Sequence, residues 1–489
     1  MKSKQRVVIA GGGTAGWMAG AALTRLLPQQ VEVTLIESSD IGTVGVGEAT
    51  IPTLAYFHKL LGIDERQFMA ATQATFKLGI QFENWRQQQH KYLHAFGQTG
   101  QTSFACDFQH FWLRGRELGI ADEFGDYCLE SVAARAGKFA HLPNNGLNYA
   151  YHLDASRYAL FLRDIAEQAG LTRIDGTISA IATDPDNGFI DTITLADGQT
   201  ISGDLFIDCT GFRALLIEQT LRVGFEDWSH WLLCDRAVAM QSQREGELAP
   251  FTRSIAHPAG WQWCIPLQER MGNGLVYSSQ YMSDNDAMAT LSGSISGDAL
   301  HEPRFIRFTP GRRRKQWHKN CVALGLASGF LEPLESTSIH LIQQGIIKLI
   351  RLFPQQQILQ SAVDEYNQQC AAELEHIRDF LILHYCVTER RDSAFWRHCQ
   401  SMPIPDSLQH RIDLFKQTGS IFHPGKALFE DSWQQVMLGQ GLTPERYHPF
   451  ADTLQQAELE NFLGHVSGTI QRTVSGLPLH ANYLTSRHH

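Results

Sequence analysis

The residues able to do chemistry stand in a few short stretches. Thr75-Phe76-Lys77-Leu78-Gly79-Ile80 sets one amine among mostly apolar neighbours. A lysine so placed either snorkels its ammonium to solvent or, when desolvated, has its pKa lowered by up to roughly 3–5 units. Leu331-Glu332-Pro333-Leu334-Glu335-Ser336-Thr337-Ser338 offers two carboxylates, Glu332 and Glu335, three residues apart. A carboxylate there can stabilise a cationic intermediate. The same Glu-Ser-Thr can instead cap the helical pattern that begins near Ile339. Gly260-Trp261-Gln262-Trp263-Cys264-Ile265-Pro266 places Trp261 and Trp263 on one side of an extended strand. They form a broad aromatic wall, with ordinary core packing as the alternative.

These groups need a scaffold, and the N-terminal stretch reads as one. Val7 to Ala10 is a buried parallel strand. Gly11-x-Gly13-x-x-Gly16, with Thr14 and Ala15 inside it, opens a helical pattern that ends near Pro28. A second strand ends at Glu37, 21 residues beyond Gly16, against the ~20 expected of a dinucleotide fingerprint. The glycines admit a pyrophosphate to the backbone and to the helix N-terminus, and Glu37 accepts from a ribose. A second glycine-dense loop at 44–52, containing Gly47 and Ala49, stands where a long flavin continues past its ADP half. Further on, Asp197-Gly198 reads as a hairpin turn leading to the strand Leu205 to Ile207. That strand ends in Asp208-Cys209-Thr210-Gly211, a pattern typical of FAD-dependent oxygenase folds, so FAD is favoured over NAD.

Composition narrows the class. The 489 residues, 43% hydrophobic and 19% charged, are ordinary globular protein, and their number suggests about three domains on a prior of roughly 150 residues each. A net charge of −10 weighs against nucleic acid or an anionic membrane as partner. The basic run Arg312, Arg313, Arg314 and Lys315 reads as a solvated face, with an anion-guiding surface as the alternative. Nine cysteines without a CxxC pair suggest neither zinc nor dithiol redox chemistry and fit a reducing, cytoplasmic setting. No run of 18 apolar residues is present to span a membrane. The start of the chain is too short and glycine-rich for a signal peptide, and the terminal Arg-His-His reads as a tag remnant.

Taken with residues 75–85, 151–162, 234–239 and 320–342, the glycine triplet and Trp261-x-Trp263-x-Ile265-Pro266 make the chain resemble the flavin-dependent tryptophan halogenases. The resemblance runs from about residue 5 to 350 with motifs in family order. It implies that reduced flavin (FADH2), O2 and a halide, chloride or bromide, together yield hypohalous acid. The arene is then held away from the flavin, and Trp261 and Trp263 fill the place a hydroxylase would give its substrate. By the same resemblance Lys77 controls the oxidant, through a hydrogen bond or as a haloamine. Glu335 orients the oxidant or accepts the ring proton. The backbone amides of Thr337 and Ser338 hold the halide, and tryptophan-specific members carry glycine at the Ser338 position. Ile178, Leu326 and Ile339 belong to the cofactor site, and His94 and Phe96 sandwich the indole.

Trp433 is a candidate lid residue over the substrate. The tyrosine pair that grips the amino-acid end of free tryptophan in the specific enzymes has no counterpart in 351–489. A site without such partners holds a zwitterion poorly, so an indole or another electron-rich aromatic is the expected substrate. The expected fold is α/β: an FAD-binding, Rossmann-like module over 1–350 with an antiparallel meander and inserted substrate elements at about 75–150. A mostly helical module over 351–489 covers the substrate side. A separate flavin reductase is implied, and a homodimer by resemblance. The rivals are an FAD-dependent aromatic hydroxylase, which needs neither Lys77 nor the paired tryptophans, and a non-catalytic FAD-binding protein.

Overall fold

A computed structural model describes residues 4–39, 47–102, 105–143, 146–355, 357–421 and 432–487. Val44, Gly45 and Val46 of the second glycine loop lie outside them, as does the terminal His-His. The chain divides into two discontinuous units: 1–74, 153–230 and 307–376; and 75–152, 231–306 and 377–489. An insertion beginning at residue 75 is therefore present, but no break falls at 350. Residues 351–376 of the expected C-terminal module stay with the first unit, and 377–489 share a unit with that insertion. One physical reason is Gln435, in the helix Ser432–Gly439. Its side chain accepts from the Ala95 amide at 2.8 Å and donates to the Gly97 carbonyl at 3.2 Å, completing a strand edge that would otherwise lack partners.

The first unit is built on a six-stranded sheet. Its order is Trp317–His318, Cys321–Ala323, Leu205–Asp208, Gln5–Ala10, Val31–Glu37, Thr172–Asp175, parallel except for the first pair. The apolar run at Val7 lies between two parallel neighbours and is buried on both faces, which is why it is apolar throughout and does not alternate. An antiparallel meander, Ile178–Thr183, Ile190–Leu195 and Thr200–Ser202, packs its inner face on this sheet, with Gly198 at φ 90° in the turn. The basic run is not simply a solvated face. Arg312 pairs with Glu226 at 2.9 Å and Glu375 at 2.8 Å, and Arg313 with Glu218 at 2.8 Å. Arg314 and Lys315 remain exposed.

The second unit carries a larger sheet in which Arg236–Gln243, Arg270–Tyr277, Gly260–Pro266 and Thr252–His257 form an antiparallel series. Thr252–His257 then pairs in parallel with Gly79–Glu83, and that strand antiparallel with Lys91–Ala95. Every residue of Gly260–Pro266 is buried, so this strand is covered on both faces. The helices Ala394–Ser401, Asp406–Thr418, Ser432–Gly439, Gln456–Ser475 and His480–Arg487 belong to the same unit. The apolar stripe Tyr366, Cys370, Leu374, Ile377 and Leu381 is buried throughout. Among the described residues no helix is long and apolar enough to cross a membrane.

Candidate active site

In the first unit the three fingerprint glycines differ in what they do. Gly11 sits at φ 111°, and a Cβ there would lie 2.3 Å from the Cys209 carbonyl oxygen. A Cβ at Gly16 would lie 1.9 Å from the Gly11 oxygen. A Cβ at Gly13 would meet nothing within 4 Å. The outer two glycines therefore answer to packing, and the middle one leaves open space at the helix N-terminus, where a pyrophosphate approaches. This yields a paired prediction. Gly16→Ala lowers the melting temperature of the FAD-free protein, because backbone must move. Gly13→Ala leaves that temperature unchanged but weakens FAD binding about tenfold or more. Differential scanning fluorimetry and a fluorescence titration with FAD check both.

Glu37 ends its strand with its carboxylate against Gly12, accepting from Trp17 Nε1 at 3.2 Å and from Arg173. Thr14 opens the helix, and Ala15 packs its Cβ toward Gly325 in the turn that carries Leu326. Gly47 and Ala49 flank Glu48 in a short strand, and burial pushes the Glu48 carboxyl up to about 7. Ile339 is buried in the helix Ser338–Arg351, and Ile178 packs into the sheet core. Asp208 was visible only as the end of a strand. Its buried carboxylate accepts from the Thr210, Leu216 and Ile217 amides at 2.9–3.0 Å and from the Thr210 hydroxyl, and so organises the following turn.

Glu335 is fully buried in the turn Pro333–Glu335. The residue forced into the left-handed region is Ser336, at φ 59°. Ser338 is the first residue of an α-helix, a conformation open to any L-residue, serine included. The amides of Thr337 and Ser338 donate to no acceptor among the described residues, as expected of a helix's first turn. The Thr337 hydroxyl is buried beside them without a hydrogen-bond partner. Two consecutive N–H groups and a buried hydroxyl at a helix start suit a halide. His340 anchors this helix, bonding Thr53 Oγ1 at 2.9 Å and Glu373 at 3.0 Å. Burial raises the Glu373 carboxyl, but the His340 and Lys348 contacts outweigh that and hold it below the usual carboxylate range.

In the second unit Lys77 lies in the strand Thr75–Lys77 and is fully buried, with Nζ 5.0 Å from the centre of the Phe96 ring. His94 is buried in the strand Lys91–Ala95, its ring 6.4 Å from that of Phe96 and 5.9 Å from Phe380. Phe380 in turn lies 4.9 Å from Trp433, and the Arg411 guanidinium is 4.7 Å from the Trp433 ring centre. The structure thus strings Lys77, Phe96, His94 and Trp433 together through Phe380. Phe380 and Arg411 went unnoticed in the sequence. Phe380 stands at i+3 from Ile377 on an apolar helix, indistinguishable there from core. Trp261 and Trp263 are buried with rings 6.2 Å apart, and Trp261 continues to Trp85 at 6.5 Å. Trp263 lies flat over Gly274, where a Cβ would come within 2.0 Å of its ring.

A family model for tryptophan halogenases matches residues 6–456. The chain belongs to this family. Xcc4156, a flavin-dependent halogenase from Xanthomonas campestris, is 58% identical over 99% of this chain and 98% of its own, with a TM-score of 0.98. BrvH, a flavin-dependent halogenase from Brevundimonas sp. BAL3, is 45% identical over 99% of both chains, with a TM-score of 0.95. The tryptophan 6-halogenase SttH of Streptomyces toxytricini is 33% identical over 99% of this chain and 98% of its own. The protein is therefore a flavin-dependent halogenase that uses FADH2, O2 and halide, with a separate flavin reductase and an aromatic substrate. The fold is the FAD-binding α/β fold of these relatives.

Proposed function

We propose that the protein halogenates an indole or another electron-rich arene that lacks a free amino-acid end. The observation that carries this reading is the buried Lys77 amine, set in one run of aromatic side chains with Phe96, His94, Phe380 and Trp433. Such aromatic surroundings reward a flat apolar ring. The missing tyrosine pair leaves a zwitterion costly to bury. Gly11, Gly13, Thr14, Ala15, Gly16, Glu37, Gly47 and Ala49, with Ile178, Leu326 and Ile339, would hold FAD, which in its reduced form would supply the two electrons that let O2, the oxidant, turn halide into hypohalous acid and water. Thr337 and Ser338 hold the halide. Lys77 places the hypohalous acid by hydrogen bonding, or condenses with it to a haloamine and water. The ring carbon takes the halogen, the oxygen or nitrogen left behind takes up a proton and departs as water or as the free amine, and Glu335 accepts the proton displaced from the ring, so that protons balance. Trp261 and Trp263 exclude the arene from the flavin side. His94, Phe96 and Trp433 hold it flat.

Competition decides the substrate class. With FAD, a reductase, NADH and bromide, indole is expected to outcompete free tryptophan and phenols, read as product ratios by mass spectrometry. A strong preference for tryptophan refutes the class. Oxygenated products in place of brominated ones favour the hydroxylase. We further propose a cytoplasmic setting, which nine cysteines without a disulfide among the described residues support, and a homodimer, to be read by analytical ultracentrifugation.

A further inference from the structure

Lys77 is only as useful as the strand that aims it, and a buried hydrogen-bond relay runs behind that strand. The Thr75 hydroxyl lies 2.7 Å from the Pro266 carbonyl oxygen and 2.9 Å from His152 Nδ1. A carbonyl can only accept, so the single hydroxyl proton goes to Pro266. Thr75 Oγ1 must then accept from His152 Nδ1–H. That leaves His152 Nε2 as an acceptor, and the Thr252 hydroxyl donates to it at 2.9 Å. Every member of the chain is buried. His480 works likewise on the next residue. Its Nδ1–H donates to the Leu248 carbonyl at 3.0 Å, and its Nε2 accepts from the Phe76 amide at 3.2 Å. Burial, reinforced by the Lys77 charge, pushes His152 well below the ordinary histidine range, so its ring is neutral.

The relay joins pieces that sequence analysis treated separately. Thr75 and His152 face each other across the pair of strands that ends at Lys77 opposite Ala150. Pro266 closes the strand that carries Trp261 and Trp263. Thr252 opens the strand between that one and Gly79–Glu83. We infer that Thr75 and His152 are positioning residues: one hydroxyl and one neutral, single-tautomer imidazole lock the Lys77 strand in register with the tryptophan strand, and so place the amine relative to the arene pocket. This rests on the halogenase reading for its functional consequence but not for its geometry.

Thr75→Val keeps the shape and removes both hydrogen bonds, and Thr75→Ser restores the hydroxyl. Two readouts are compared in the FAD-loaded enzyme. The first is brominated indole formed per NADH consumed, with an added scavenger reporting hypobromous acid that escapes. A loss of aim lowers this ratio at least about fivefold in Thr75→Val and raises escape, while Thr75→Ser stays within about twofold of wild type. The second is hydrogen exchange of the peptide spanning Phe76 to Leu78, which needs no turnover. It is expected to quicken in Thr75→Val and not in Thr75→Ser. Should Thr75→Val fail to fold, Thr252→Val removes only the outer donor and carries the same signs at smaller size. Unchanged coupling with unchanged exchange overturns the lock, as does Thr75→Ser behaving like Thr75→Val. A wild-type enzyme that brominates nothing refutes the arene reading alone, because the exchange contrast still reports on the relay.

Discussion

Lys77→Met is expected to remain folded and to bind FAD within about twofold of wild type, yet to form halogenated arene about 10²–10⁴-fold more slowly, the range typical for a positioned group that handles a reacting atom. Methionine nearly matches the aliphatic stem of this fully buried side chain, so packing changes little, and volume-conserving swaps in cores are tolerated. What disappears is the amine. Without it hypohalous acid still forms, but nothing fixes it beside the ring. The variant should therefore consume NADH at a normal rate through the reductase while the scavenger captures the oxidant. Lys77→Arg distinguishes the two roles open to the amine. A guanidinium still donates hydrogen bonds but is a poor nucleophile and stays charged. Recovery in Lys77→Arg supports hydrogen bonding, and silence supports the haloamine. A Lys77→Met enzyme that halogenates at more than about a third of the wild-type rate refutes any role for the amine.

The cofactor half was legible in the sequence and much of the arene half was not, and the reason is the range of the interactions. Strand, glycine triplet, helix, strand and Glu37 follow from rules that act within about 30 residues, and the structure places each where local reading puts it. The lysine shows the opposite case. Its apolar neighbours in sequence allow either snorkelling or burial, and Phe96, whose ring its amine approaches, directly follows another strand, Lys91–Ala95. Phe380 and Arg411 meet Trp433 only because three helices converge, and an apolar helix position carries no label that says pocket. Ser338 shows a conformation that its neighbours in sequence do not declare. The left-handed residue is Ser336, and the helix starts at the serine itself. A break at residue 350 was drawn where the motifs thin out. Residues 377–489 instead join the unit begun at Thr75, in part because Gln435 completes a strand edge more than three hundred residues back in the chain.

Glu335→Gln is expected to lower halogenation about 10²–10³-fold with little change in the arene KM, as removing one preorganised electrostatic group does elsewhere. Glutamine keeps size and shape in the buried turn, so Ser336 stays left-handed and the Thr337 and Ser338 amides stay free for halide. The bromide dependence of the rate should thus be unchanged. That separates Glu335 from the halide site, because damage to the turn would raise the bromide requirement together with the loss of rate. Glu332 is the necessary comparison, since it is as deeply buried as Glu335 and burial cannot choose between them. The choice rests on place. Glu335 stands two residues before the open amide of Thr337, whereas Glu332 precedes the turn that Pro333 begins. Glu332→Gln is therefore expected to change kcat less than about tenfold, and any effect it has should appear as a lowered melting temperature. If Glu332→Gln instead loses the activity and Glu335→Gln keeps it, the proton acceptor has been assigned to the wrong carboxylate. If both variants keep it, the cationic ring gives its proton to water, and the buried carboxylates hold only the turn.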